Sequence, residues 1–81
     1  MELIPLDEKQ QKYLKKYNLS KKFQKQICLL LDNPSHPSLN VEKVYSIGPG
    51  LYSFRIDQKY RAIFAFSKGV VKIVALTNHY H

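Results

Sequence analysis

Residues 50–77 read GLYSFRIDQKYRAIFAFSKGVVKIVALT, and this stretch decides the fold. It contains three runs rich in β-branched and aromatic residues, at 51–56, 60–66 and 70–77, which is the composition of β-strands. The polar segments between them, at 57–59 and 67–69, are typical of tight turns. The stretch therefore predicts consecutive antiparallel strands.

Side-chain alternation divides this predicted sheet into an apolar face and an open face. The apolar face, which we expect to meet the helices, comprises Tyr52, Phe54, Ile56, Tyr60, Ala62, Phe64 and Phe66. The same counting places Ser53, Arg55 and Arg61 on the open face. Since an unpaired arginine in an apolar strand is costly, we expect Arg61 either to form a salt bridge with Asp57 or Glu42, or to meet an anion.

The residues before the sheet begin with a short strand and a first helix. Residues 1–6 are expected to form the strand, which ends near Pro5. Asp7 then begins a helix with Gln10, three residues later, as its capping-box partner. Asn18 is expected in a left-handed conformation at the end of this helix.

A second, amphipathic helix follows directly, so the two helices form a hairpin. Ser20 is expected to cap it, and the segment 32–34 (Asp-Asn-Pro) stops it. Its apolar face comprises Phe23, Ile27, Leu30 and Leu31. Cys28 lies among apolar residues and is expected to pack in the core.

Residues 35–43 read as a loop, residues 44–47 as a short strand and residues 48–50 as a turn. The predicted fold class is therefore α+β, with an N-terminal short strand and a helical hairpin packed on a curved antiparallel sheet. A chain of 81 residues has the size of a single domain, which we expect to span residues 1–81.

The net charge of +7 is large for this length. It indicates either attraction to polyanions such as RNA, DNA or an acidic protein, or a solvated lysine surface that aids solubility. No apolar run approaches the roughly 20 residues that span a bilayer. Because Cys28 cannot form an internal disulfide and no apolar leader is present, we expect a cytoplasmic protein.

The candidate catalytic residues are Glu42, Arg61, His79 and Tyr80. RNA is cleaved without a metal when its 2′-hydroxyl attacks the adjacent phosphorus, which requires a base, a cation and an acid. Glu42 can be the base, the planar guanidinium of Arg61 fits phosphate oxygens, and His79 titrates near neutrality and can be the acid. Tyr80 can donate a hydrogen bond to the phosphate or stack on a base.

Further residues are expected to contact the phosphate or RNA, namely Ser53, Arg55, Lys59 and His81. Each candidate also has a plainer interpretation, and Glu42 by itself resembles an ordinary surface glutamate. His79 and His81 resemble half of a metal site, but no third ligand has suitable spacing, so we expect neither metal nor cofactor. The sequence contains no glycine-rich phosphate loop and no Gly-x-Ser-x-Gly turn.

Residues 50–64, residues 70–76 and the pair His79-Tyr80 resemble the RelE/ParE superfamily of bacterial toxins, which belong to type II toxin–antitoxin pairs. The loop of residues 33–39 is also similar to the segment that those toxins carry between helix and sheet. The resemblance covers nearly the whole chain, and the order of elements with a strand that begins Tyr60-Arg61 is distinctive.

Within that superfamily the chain looks most like YoeB-type ribosome-dependent endoribonucleases, which end in a His-Tyr pair. By position, their glutamate, arginine, histidine and tyrosine fall on Glu42, Arg61, His79 and Tyr80. The resemblance implies cleavage of mRNA in the ribosomal A site and neutralisation by an acidic, partly disordered antitoxin that wraps the toxin. It also implies that operator DNA is bound only through the toxin–antitoxin complex.

Two departures from the superfamily pattern leave other functions open. RelE has lysines on the strand that holds Ser53 and Arg55, whereas only Arg55 is basic here, and His81 follows the tyrosine. One alternative is a ParE-like, non-enzymatic inhibitor of DNA gyrase, although that class generally lacks the catalytic set. The other is a catalytically inactive, toxin-like binding protein.

Overall fold

The computed structural model describes residues 1–45 and 49–78. Their regular elements, in chain order, are β1 (Glu2–Leu3), α1 (Glu8–Lys16), α2 (Ser20–Asp32), a 3-10 helix (Pro37–Leu39), β2 (Glu42–Lys43), β3 (Leu51–Arg55), β4 (Arg61–Ser67) and β5 (Val70–Thr77). Neither α-helix in these ranges is long and apolar enough to cross a membrane. The α+β class and the helical hairpin packed on a sheet are confirmed.

The helical hairpin forms as predicted at α1 but begins differently at α2. Asp7 Oδ1 accepts a hydrogen bond from the Gln10 backbone N–H at 2.7 Å, and Gln10 Oε1 accepts one from the Asp7 N–H at 3.2 Å. This reciprocal capping box satisfies two donors that a helix start leaves unpaired. Asn18 follows α1 with φ 56°, which is the left-handed conformation predicted.

The prediction that Ser20 caps α2 is wrong, because Ser20 is already the first helical residue and Leu19 occupies the cap position. Because a leucine side chain has no polar atom, Leu19 supplies no side-chain hydrogen bond from this cap position to the start of α2. Its side chain is only 1% exposed, so burial of a leucine in the short link between the helices takes precedence over a polar cap.

The sheet has five strands in the order β1-β5-β4-β3-β2. The pairs β2–β3, β3–β4 and β4–β5 are antiparallel, as the short turns predict. The sequence left the pairing of the N-terminal strand open, and β1 pairs with β5 in parallel, which makes the sheet mixed at this edge. In the sequence, the two helices separate β1 from the other four strands, so no tight turn determines the direction in which β1 pairs.

The strand predicted at 44–47 is displaced along the chain. The structure places β2 at Glu42–Lys43, inside the segment predicted as a loop, and Glu42 is the Cα partner of Ser53. The 3-10 helix occupies another part of that segment and buries Leu39 completely. Val44, just after β2, is 3% exposed, so two apolar anchors fix the path of this connection. Residues 46–48 lie outside the described ranges.

The core lies between the helices and one face of the sheet. Its members include most of the predicted helix and sheet residues, namely Phe23, Ile27, Leu30, Phe54, Ile56, Tyr60, Ala62 and Phe64, whereas Leu31 and Tyr52 are only partly buried against it. Two predictions about packing are wrong. Phe66 is 45% exposed because it lies near the end of β4 at the hairpin turn, and Cys28 is exposed because it falls beside the buried stripe of α2.

Candidate functional site

The open face of the sheet brings together residues from four strands. On β2 and β3, Glu42 is the Cα partner of Ser53. On β3 and β4, Arg55 is the partner of Arg61, and on β4 and β5, Arg61 is the partner of Thr77. Since side chains of directly paired residues share a sheet face, these five residues lie on the face opposite the helices.

The Arg61 side chain crosses β3 and is held at three points. Its Nε and Nη2 donate hydrogen bonds to the Ser53 hydroxyl at 3.1 and 3.0 Å. Nη2 also donates to the backbone carbonyls of Asn40, at 2.5 Å, and of Ser53, at 3.4 Å. Because Asn40 precedes Glu42 by two residues, these bonds hold the guanidinium close to the chain segment that carries Glu42.

A β-bulge in β5 determines which residues of that strand share a face with Arg61. Ile63 is the partner of Ala75, whereas the next residue, Phe64, is the partner of Ile73, so Val74 is left unpaired. The extra residue reverses the alternation along β5. Ile73 therefore points into the core, 3% exposed, while Thr77 lies on the open face beside Arg61.

Two arginines are direct neighbours on this face. Arg55 and Arg61 are cross-strand partners, and like charges in that position repel each other. Arg55 is exposed, and its backbone carbonyl accepts a hydrogen bond from Gln26 Nε2 at 2.8 Å, which ties the end of β3 to α2. Two cationic side chains therefore begin at adjacent positions on this face.

The sequence left open a salt bridge between Arg61 and Asp57, but Asp57 has other partners in the structure. Asp57 Oδ2 instead lies 3.4 Å from Lys22 Nζ, and Oδ1 accepts the backbone N–H groups of Lys59 and Tyr60, both at 2.8 Å. Burial raises the pKa of Asp57, but the two backbone N–H bonds and Lys22 outweigh it, so the pKa lies below its ordinary value. Asp57 therefore organises the turn between β3 and β4.

The residues predicted to contact RNA lie in different environments. Ser53 is completely buried and its hydroxyl bonds to Arg61, whereas Arg55 is exposed on the open face. Lys59 is exposed in the turn after β3, with its Nζ 5.7 Å from the centre of the Tyr60 ring. Their roles in RNA binding stay predictions.

Of the predicted catalytic set, the structure places Glu42 and Arg61 on the same face, and Glu42 is exposed there. The other candidates, His79, Tyr80 and His81, lie outside the described residues. Within residues 1–45 and 49–78, no group of three or more His, Cys, Asp or Glu side chains is arranged to hold a metal ion.

Sequence reasoning missed Asn40 and Gln26, which position the site through hydrogen bonds. Asn40 adopts φ 45° and its carbonyl receives the Arg61 guanidinium. Gln26 is 7% exposed and joins α2 to the 3-10 helix and to β3. A polar residue on the apolar stripe of α2, three residues after Phe23, is a sequence signal that pointed to Gln26.

No protein-family model matches the chain, and no curated protein is similar to it in sequence. Solved structures do match. The YoeB/ParE toxin from Agrobacterium tumefaciens superimposes with a TM-score of 0.75 at 17% identity, over 99% of this chain and 100% of that chain. The YoeB-YefM complex from Staphylococcus aureus matches with a TM-score of 0.72 at 25% identity, over 96% of this chain and 93% of that chain.

A third match, YafQ from E. coli strain BL21(DE3), has a TM-score of 0.75 at 15% identity, over 96% of this chain and 90% of that chain. The protein therefore has the toxin fold of the RelE/ParE superfamily. Within that superfamily its structure is close to the YoeB toxins, which confirms the resemblance seen in the sequence.

Proposed function

We propose that this protein is the toxin of a type II toxin–antitoxin system and acts as a metal-independent endoribonuclease that cleaves mRNA on the ribosome and inhibits translation. The observation that carries the proposal is the open face of a YoeB-like fold, where Arg61 is held at the chain segment that carries Glu42. A carboxylate and a guanidinium on one exposed face are two of the three groups that metal-free cleavage needs.

The chemistry assigns one role to each residue of the candidate set. Glu42 accepts the proton of the 2′-hydroxyl, and the 2′-oxygen forms its bond to phosphorus as the bond to the 5′-oxygen breaks. His79 donates the proton that the departing 5′-oxygen takes up, while Arg61 stabilises the charge that develops on the phosphate. Tyr80 donates a hydrogen bond to the phosphate or stacks on a base. The products are a 2′,3′-cyclic phosphate and a 5′-hydroxyl.

Charge supports the assignment of an RNA substrate. The chain carries a net charge of +7, and Arg55 adds an exposed cation beside Arg61. Cations that are fixed before the substrate arrives stabilise phosphate charge without having to reorganise during the reaction. We assign contacts with flanking phosphates or bases to Arg55, Lys59 and His81.

The proposed protein partner is an antitoxin with an acidic, partly disordered segment. A strongly basic toxin of this size attracts such a segment electrostatically, and the segment folds as it binds. The matching YoeB from Staphylococcus aureus was solved as a YoeB-YefM toxin-antitoxin complex. Translating ribosomes place the proposed substrate in the cytoplasm.

The proposal is tested by inducing the protein in a bacterial host and mapping the 5′ ends of translating mRNA by primer extension. We expect Arg61→Ala and His79→Ala each to lower cleavage at least ~100-fold and to relieve growth inhibition. Arg61→Lys keeps the charge but loses the planar fork, so we expect a large loss there too. Lys21→Ala, which removes an exposed charge from α2 on the helical side, is the matched control.

Circular dichroism and thermal melting of each purified variant test whether the fold survives. Full toxicity and unchanged cleavage in both Arg61→Ala and His79→Ala would defeat the assignment. Activity that is retained only by wild type and Lys21→Ala would support it.

The match to a protein described as a YoeB/ParE toxin favours one second candidate, a ParE-like inhibitor of DNA gyrase. The purified protein would then block supercoiling by gyrase and leave mRNA on ribosomes uncut. The same set of variants separates the two candidates, since a non-enzymatic inhibitor does not need an acid at His79.

A further inference from the structure

Ser53 is the only fully polar side chain among the largest completely buried residues of the described chain. It lies in the middle of β3, between Glu42 on β2 and Ile63 on β4. A buried hydroxyl requires a hydrogen-bond partner to offset its desolvation. Its partner here is the guanidinium group of Arg61, which the proposed function places against the scissile phosphate.

The Ser53 hydroxyl receives both N–H groups from one edge of that guanidinium. Nε lies 3.1 Å and Nη2 lies 3.0 Å from the same oxygen. Two bonds from adjacent nitrogens to one acceptor fix the direction of the group within its own plane. The Asn40 carbonyl, 2.5 Å from Nη2, then limits the turning of that plane about the axis to the Ser53 oxygen.

Without these bonds the guanidinium of Arg61 would not be confined to this position. An arginine side chain has many rotamers, so an unrestrained Arg61 would meet the substrate in varied orientations. A buried acceptor at the middle of β3 restricts those rotamers.

We propose that Ser53 is a positioning residue, whose buried hydroxyl holds the Arg61 guanidinium in the orientation that meets the phosphate. This inference rests on the proposed endoribonuclease function, and it changes the role of Ser53 from an RNA contact to a support for Arg61. The position requires a hydroxyl. Ser53→Ala removes the acceptor with little change in volume, and Ser53→Thr keeps it.

The test is a double-mutant cycle that compares wild type, Ser53→Ala, Arg61→Ala and the double variant. Single-turnover cleavage of mRNA on ribosomes is measured for each. We expect Ser53→Ala to slow cleavage roughly 10- to 100-fold in the wild-type background, since a small misplacement of a group that meets the substrate has an effect of this order. In the Arg61→Ala background it should have no further effect, because its role is exerted through Arg61.

Ser53→Thr should restore most of the rate that Ser53→Ala loses. Ser67→Ala, which removes an exposed hydroxyl at the end of β4, is the matched control and should cleave at the wild-type rate. A second readout does not depend on cleavage. The Nε–H signal of Arg61 in nitrogen-15 NMR spectra should exchange with water faster in Ser53→Ala than in wild type or Ser67→Ala.

The outcomes separate this inference from the function on which it rests. A wild-type protein that cleaves no mRNA refutes the proposed function and, with it, the catalytic purpose of the Ser53 contact. An active wild type in which Ser53→Ala slows cleavage equally with and without Arg61 overturns the Ser53 inference alone. An unchanged Arg61 Nε–H exchange rate in Ser53→Ala also overturns it.

Discussion

Gln26 offers a sharp test of how the helices support the open face, through the substitution Gln26→Glu. Its amide nitrogen donates to the carbonyl of Ser38, at 3.1 Å, and to that of Arg55, at 2.8 Å. The side chain is 7% exposed, so these bonds form largely away from water. An ionised glutamate has almost the same shape but no donor, and the oxygen that replaces the amide nitrogen faces two carbonyl oxygens.

The expected cost at pH 7 follows from these contacts. Loss of two neutral hydrogen bonds costs about 1 kcal/mol each, and an ionised carboxylate without donors in this site adds about 1–3 kcal/mol. The sum is about 3–5 kcal/mol. For a domain of this size each kcal/mol lowers the melting temperature by roughly 4–8 °C, so we expect a decrease of at least about 12 °C.

The same substitution should become milder in acid. The site disfavours the charged form, so the folded pKa of the introduced carboxyl should lie above its unfolded value of about 4.3. The difference in stability from wild type is therefore largest above the folded pKa and shrinks as the pH falls toward the unfolded pKa. Below it, the protonated carboxyl can donate to one carbonyl again, so we expect a residual cost of about 1 kcal/mol.

The assay is urea unfolding followed by circular dichroism at pH 7 and at pH 4, with wild type measured in parallel. Gln24→Glu, an exposed position on the same helix, introduces the same charge and is the control. The reasoning is refuted if Gln26→Glu costs no more than Gln24→Glu at pH 7. It is also refuted if the cost of Gln26→Glu is the same at both pH values.

Three further substitutions test other parts of the fold. Asp57→Ala should cost about 1 kcal/mol at pH 7. Because the folded pKa of Asp57 is lowered, this contribution is present above its unfolded pKa and is lost as the pH falls through the folded pKa, so unfolding curves of wild type and variant should converge as the pH falls below the ordinary pKa of an aspartate. Phe54→Ala empties a site that is 0% exposed and contacts the rings of Phe23 and Phe64, so urea unfolding should show a loss of about 3–5 kcal/mol. Gly69→Ala should cost only about 1 kcal/mol by thermal melting, because φ is 78° but no described atom lies within 4 Å of the new methyl group; a loss above about 3 kcal/mol would contradict this.

Local signals in the sequence were sufficient for most of the secondary structure. The capping box of Asp7 and Gln10 marked the start of α1, and the turn at Lys68 and Gly69 marked the hairpin between β4 and β5. Alternation in the strand that begins at Arg61 separated the apolar face from the open face. These signals work because each depends on residues a few positions apart, whose spacing the backbone geometry fixes.

Local signals failed where distant segments compete for the same partner. Glu42 was expected in a loop, but the residues that pair with β3 are chosen by the whole register of the sheet. The parallel pairing of β1 depends on where the helical hairpin returns the chain. Leu19 replaced Ser20 at the start of α2 because core packing outweighed the local capping preference.

The amino-acid sequence by itself determined that this chain folds into helices on a sheet and that Arg61 lies on the face away from them. Only the tertiary structure decided what surrounds that arginine: Ser53, eight residues away, Asn40, 21 residues away, and Thr77, turned to the same face by the bulge at Val74. The physical reason is that a hydrogen bond between distant residues forms only after the sheet register has brought them together, and no short stretch of sequence encodes that register.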